Sequence, residues 1–192
     1  RYSDRQISAT NADGDYEMMN IGSVESKGLE LEWSGKLPYN FNYYTSYTYT
    51  DSEQKDDIVS NGGNPLPTSG KTVPNVPKNM LNMSLGYDDG LYYGSFGGKY
   101  VSAFYGDLTN DEKISGRTIF DVAAGVHLPV DKKIVKSATL RFGIDNLFDK
   151  EYLTSVRSTT FNAAPYTGVR ASTPYYNAGE ERTLTVSLAP TL

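Results

Sequence analysis

Apolar and polar residues alternate along most of this chain. Near its end, Leu184, Val186, Leu188 and Leu192 share one parity, while Thr183, Thr185 and Ser187 share the other. Side chains of a strand point alternately to its two faces, so such a segment has one apolar and one polar face. The pattern recurs upstream. Leu29, Leu31 and Trp33 oppose Glu30, Glu32 and Ser34, and Phe41, Tyr43, Thr45, Tyr47 and Tyr49 oppose Asn42, Tyr44, Ser46, Thr48 and Thr50. Leu81, Met83, Leu85 and Tyr87 oppose Asn82, Ser84 and Gly86; Tyr92, Phe96 and Tyr100 oppose Tyr93, Ser95 and Lys99. Phe120, Val122, Ala124, Val126 and Leu128 oppose Asp121 and His127, and Leu140, Phe142 and Ile144 oppose Arg141 and Asp145. The pattern predicts about eight strands, over residues 2–8, 16–36, 40–52, 77–87, 91–105 and 117–128, then around 140–145, with the last closing the chain. Recurrent period two and frequent Gly argue against helix.

The connections between these strands alternate in length. Residues 37–39 and 87–90 are tight links, the second with an Asp-Gly pair suited to a hairpin turn, and 129–136 is modest. Residues 9–15, 53–76, 106–115 and 153–179 are longer polar stretches. An antiparallel barrel in an outer membrane has this asymmetry, with short turns on one side and long loops on the other. Mean hydropathy is only -0.49, and no apolar run is long enough for a membrane helix. A spanning barrel is compatible with both facts, because half of each strand is polar. In that reading the polar faces look into a wet lumen, the Leu, Val, Met and Phe rows meet lipid, and Tyr and Trp33 supply interfacial girdles.

Other features narrow the chemistry. Cys is absent, which removes disulfides and thiolate metal sites. The net charge is -5 with no dense Lys/Arg block, so nucleic acid is not an expected partner. The chain starts at Arg1, which suggests a piece of a longer architecture. We find no Gly-x-Ser-x-Gly elbow, phosphate loop or His-based triad, so no catalytic residue is assigned and no enzyme is expected. No metal site or cofactor is assigned either. His127, the single His, suits a hydrogen bond within the wall or to a plug. Residues 11–15 (NADGD) start like a calcium loop, but Tyr16 and Gly22 occupy its Gly and Glu positions, leaving an acidic turn. Glu30 and Glu32 read as lumen residues, and Asn82-Met83-Ser84 as a mid-strand match without meaning for glycosylation.

Four segments carry a family resemblance. They are Asp145-Asn146-Leu147-Phe148-Asp149-Lys150-Glu151-Tyr152, the closing GEERTLTVSL, the Lys27-Gly28-Leu29-Glu30-Leu31-Glu32 strand with its preceding Asn20-Ile21-Gly22, and Val73-Pro74-Asn75-Val76-Pro77-Lys78. In this order they resemble the C-terminal barrel half of TonB-dependent outer-membrane receptors. The resemblance implies an all-β, antiparallel transmembrane β-barrel of 22 strands around an N-terminal plug. Residues 1–192 would be a C-terminal portion, roughly the last eight strands, with the plug and earlier strands absent. It also implies a bacterial outer-membrane location, uptake of a scarce ligand (usually a ferric siderophore) and energy from the inner-membrane TonB complex acting on the plug. Partners would then be the lipid bilayer, the plug, TonB through the plug, and an iron chelate or other small ligand. One departure is the ending Ala189-Pro190-Thr191-Leu192, where the family usually ends in an aromatic residue.

The candidate ligand contacts lie in the predicted loop 153–179 or, for Tyr105, at the strand end that enters the 106–115 loop. Tyr105, Arg157, Tyr166, Arg170, Tyr175 and Tyr176 combine planar donor forks with stacking faces, which suits an anionic, aromatic chelate. Phe161 shares that stretch, which equally suits a loop packed on its neighbours. The Asn-Leu-Phe-Asp segment reads as a structural bulge where a strand leaves the bilayer. Two other functions fit parts of the pattern: a self-contained eight-stranded barrel with an anchoring or adhesive role, and a soluble Tyr-rich carbohydrate-binding sandwich.

Overall fold

The computed structural model describes residues 6–10, 16–20, 22–59, 64–129, 137–157, 162–167, 171 and 173–191. Among these residues there are fifteen strands and no helix. They are β1 (Gln6–Thr10), β2 (Tyr16–Asn20), β3 (Val24–Leu37), β4 (Phe41–Gln54), β5 (Ile58–Val59), β6 (Pro65–Leu66), β7 (Asn79–Asp88) and β8 (Tyr92–Val101). Then follow β9 (Phe104–Tyr105), β10 (Lys113–Ile114), β11 (Arg117–Pro129), β12 (Ser137–Asp145), β13 (Leu153–Arg157), β14 (Tyr175–Ala178) and β15 (Thr183–Thr191). Seven strands form one antiparallel sheet in the order β15-β12-β11-β8-β7-β4-β3. All six neighbouring pairs in this wall are consecutive wall strands; the longest link, residues 146–182, joins β12 to β15.

The register joins the single-strand patterns into continuous rows. Gly35 pairs with Tyr43, Tyr43 with Leu85, Leu85 with Phe96, Phe96 with Val122, Val122 with Ile144, and Ile144 with Leu184. One residue away, Lys36, Asn42, Gly86, Ser95, Ala123, Gly143 and Thr185 line up on the opposite face. A register slip of one residue in any strand would mix the two rows. Among the described residues no second protein layer covers the apolar row: Leu184 is 73% exposed, Val186 68% and Phe142 52%. A soluble sandwich would bury that face on another sheet, an arrangement not seen among the described residues. Phe96 stacks on Phe120 at 5.6 Å, and Phe120 meets Phe148 edge-on at 5.6 Å along the same face.

Turn chemistry sets the short-link end. Tyr39 and Asn40 both take positive φ (61° and 64°), the geometry that matches strand twist in a tight hairpin. At the predicted Asp-Gly turn, Gly90 has φ 90° and the Asp89 carboxylate accepts from the backbone N–H of Leu91 (2.9 Å) and Tyr92 (2.7 Å).

Four expectations are adjusted. The second strand is not continuous over 16–36: Gly22 takes φ 78°, and the Ser23 N–H turns to the Asp56 carboxylate (2.7 Å), so β2 pairs with β1 while β3 joins the wall. The wall therefore holds seven strands, with β1 and β2 as a separate ribbon. The fifth strand stops at Val101, where the Ser102 N–H and hydroxyl engage Asn79, and the chain resumes as β9 paired with β10. Residues 153–179, expected as loop, contain the β13–β14 hairpin. The 11–15 turn, the 131–136 stretch, Phe161, Arg170 and Leu192 lie outside the described residues.

Candidate functional site

Apart from Ala123 and Ala138 in the wall, the buried apolar residues gather at the long-link end. Ile58, Leu66 and Val73 come from residues 55–78, Phe104, Leu108 and Ile114 from 102–116, and Val156 from β13; each is at most 6% exposed. Phe104, Ile114 and Val156 pack together with Leu153. Gly106 lets the second loop sit flush on this cluster, since a Cβ there would lie 2.7 Å from the Val156 Cβ. Two-residue strands have little ladder of their own, so side chains must close the structure. Gln54 Nε2 donates to the Leu108 carbonyl (2.8 Å), and Asn110 exchanges bonds with both backbone groups of Thr72 (2.7 and 2.9 Å). The Asp107 carboxylate, 2% exposed, accepts from Thr109, Glu112 N–H and Ala163 N–H. The three long links thus form one cap with its own core.

Residues Tyr105, Arg157, Tyr166, Tyr175 and Tyr176 all belong to this cap. Tyr105 stands in β9 opposite Lys113, and its carbonyl accepts from Asn75 N–H (2.7 Å). Arg157 ends β13, in register with Tyr175. Tyr175 is 65% exposed. The Tyr166 hydroxyl donates to the Asp111 carboxylate (3.0 Å to Oδ2), and the Tyr176 hydroxyl to Glu112 (2.8 Å). Partial burial and then the hydrogen bond to Asp111 push the Tyr166 phenol up, and the Glu112 hydrogen bond raises Tyr176. Both phenols therefore stay neutral donors that fasten one loop to another. At the foot of the cap Lys55 bridges Glu53 (2.9 Å) and Glu25 (3.1 Å), which raises its pKa.

Wall and cap meet at two joints. The Arg117 guanidinium donates to the Leu153 carbonyl (2.9 Å) and lies 5.2 Å from the Tyr152 ring centre. Asn146 is 3% exposed and takes φ 52°. Its amide nitrogen donates to the carbonyls of Lys150 and Glu180 (both 3.0 Å), and its amide oxygen accepts from Lys150 N–H (2.8 Å). The Asn-Leu-Phe-Asp segment is therefore structural as read, but it is a turn that ends β12 and not a bulge. On the polar wall face, Lys99, Arg117, Asp121, Asp145 and Tyr152 line a shallow hollow. Tyr44 donates to Glu32 (3.2 Å), and His127 lies 3.2 Å from the Thr139 hydroxyl and stacks on Tyr93, the in-wall one of the two hydrogen bonds considered for it. Asn82 bonds Ser46 in mid-strand.

A family model described as TonB dependent receptor-like, beta-barrel matches residues 1–147. The chain belongs to the TonB-dependent receptor β-barrel family. Members of this family are outer-membrane β-barrels, and the alternation of the wall fits that location. The chain is 29% identical over 153 residues to the ferrichrome outer membrane transporter/phage receptor of Escherichia coli (strain K12), covering 77% of this chain and 19% of that protein. It is 28% identical over 148 residues to the ferrioxamine B receptor of Salmonella typhimurium (strain SL1344), covering 74% and 20%. The crystal structure of the siderophore receptor PiuA from Acinetobacter baumannii shares the fold, with a TM-score of 0.67, 23% identity, and coverage of 96% of this chain and 24% of that one. The chain spans about a fifth of the length of the curated relatives it matches. Within the TonB-dependent receptor family, the residues that sequence reasoning missed here are the cap's tying groups: Asn75, Asp107 and Asn110. The Pro74-Asn75-Val76-Pro77 run held a usable signal, since Asn tolerates the left-handed region and proline cannot supply the N–H.

Proposed function

We propose that this chain forms part of the wall and outer cap of a receptor that takes up an iron chelate, most simply a ferric siderophore, across the outer membrane. The observation that carries this reading is the pairing of two surfaces. The seven wall strands share one largely apolar face that nothing among the described residues covers, while the long links at one end fold into a cap rich in Tyr. The first surface suits lipid, and the second suits a ligand met from outside. The relatives named above are receptors and transporters by description, which supports binding and passage with no catalytic step. The polar wall face would meet the plug, and TonB would act through that plug.

Tyr105, Arg157, Tyr166, Arg170, Tyr175 and Tyr176 remain our candidate ligand contacts, with exposed Tyr175 favoured for stacking. Uptake of a labelled ferric trihydroxamate by cells carrying the full gene, with other iron uptake removed, tests the reading. Uptake should need the gene and stop when the proton-motive force is dissipated. Arg157→Ala with Arg170→Ala should raise the half-saturating concentration at unchanged surface level; unchanged uptake would remove the loop assignment.

A further inference from the structure

We propose that Asn75 is a positioning residue that sets the geometry of all three long links at once, so that the candidate ligand contacts are offered as one surface. The inference rests on the receptor reading for its functional consequence but not for its structural content. Asn75 takes φ 58°, a left-handed conformation that Asn adopts more readily than other non-glycine residues. In that conformation its backbone N–H reaches the Tyr105 carbonyl at 2.7 Å. Its side-chain amide turns the other way. Nδ2 donates to the Val156 carbonyl (2.9 Å), and Oδ1 accepts from the Val156 N–H (3.1 Å). A primary amide that serves both backbone groups of one residue does what a neighbouring strand would do.

Its place in the chain gives this contact its reach. Asn75 belongs to residues 55–78, Tyr105 to 102–116 and Val156 to 146–182, so one residue joins all three links. Val156 is 1% exposed and belongs to the cap's core. It is paired with Tyr176 and sits beside Arg157 in β13. Breaking the amide clasp would leave two buried backbone groups of Val156 without partners, which opposes burial of that strand. Tyr105, Arg157 and Tyr176 would then lose their common frame. The other ties join links in pairs: Asn110 with Thr72, and Asp107 with Ala163.

Spin-label distances in the full-length receptor, reconstituted in bilayers without ligand, test this directly. Labels on Val59→Cys, Lys113→Cys and Thr173→Cys, taken in pairs, report on the three links, and a Pro38→Cys/Leu91→Cys pair reports on the wall. Asn75→Gly keeps the left-handed backbone and removes the amide. It should broaden the cap distances and leave the wall pair narrow. Asn75→Asp keeps the acceptor but loses the donor to the Val156 carbonyl, and should broaden them less. Cap distances unchanged in Asn75→Gly would overturn the inference, as would equal broadening of the wall pair. For a ferric trihydroxamate probe, Asn75→Gly should raise the half-saturating concentration about tenfold without changing the saturating uptake rate or the amount inserted. A fall in the saturating rate alone would count against positioning. Because the distances are measured without ligand, broadened cap distances would still support the clasp even if the iron chelate proved to be the wrong cargo.

Discussion

In the wall, Leu184 and Val186 stand 73% and 68% exposed; in the cap, Ile58 and Val156 are 2% and 1% exposed. The same residue types are thus treated in opposite ways within one chain. Wall strands are held by long ladders, nine to fourteen paired positions between β3, β4 and β7, and leave their apolar side chains for a solvent other than water. Cap strands are as short as two residues and depend on a packed core with side-chain clasps. Burial on folding therefore stabilises the cap as it does a water-soluble domain, while in the proposed receptor the wall would rely on closure of backbone hydrogen bonds in lipid. The comparison also fits the low mean hydropathy: half of each wall strand is polar, and the cap's buried apolar cluster holds few residues.

The strongest way to separate the two regions is to empty the cap's core. Phe104→Ala removes a 4% exposed ring and should cost the cap about 3–5 kcal/mol. Hydrogen exchange should rise in residues 102–116 and 153–157, while β7, β8 and β11 stay protected. Exchange rising equally in the wall would erase the distinction. Next in size is a charge on the wall. Val186→Arg should cost about 2–4 kcal/mol if its site lies near the bilayer midplane, seen as lower folded yield in the outer membrane. Ser187→Arg, one residue on but on the polar face, should insert nearly normally. Equal losses for the two would mean that the faces do not differ. The smallest effect is on pH. The Tyr166 and Tyr176 phenols are raised in the folded cap, so their bonds to Asp111 and Glu112 are fully present below the ordinary Tyr value of about 10. They are lost as pH rises through the higher folded values. Loop exchange, corrected for its intrinsic pH dependence, should therefore stay flat up to about pH 10 and climb above it; a climb well below that value would contradict the assignment.

The wall was largely legible in the sequence. Period two is imposed by the pleat itself, and each strand from Leu29 to Leu188 keeps its parity in the observed register. Breaks were harder to see. Gly22 interrupts a run whose alternation continues on both sides, and the break shows only in the fold, through its positive φ and the Ser23–Asp56 contact made across 33 residues. The cap was not legible, because its strands are too short to show a period and its fastenings are long-range: Asn75 reaches Val156 across 81 residues. The candidate tyrosines were found by residue type alone. That reasoning could not foresee that Asp111 and Glu112 would take the hydroxyls of Tyr166 and Tyr176.

Which wall face meets lipid is the central claim. Single labels at Leu184, Thr185, Val186, Ser187 and Leu188 in the full-length receptor, reconstituted in bilayers carrying a lipid-bound quencher, would show this. Strong quenching at Leu184, Val186 and Leu188 with little at Thr185 and Ser187 is the predicted result. Equal quenching at all five positions, or none at the Leu and Val sites, would contradict it.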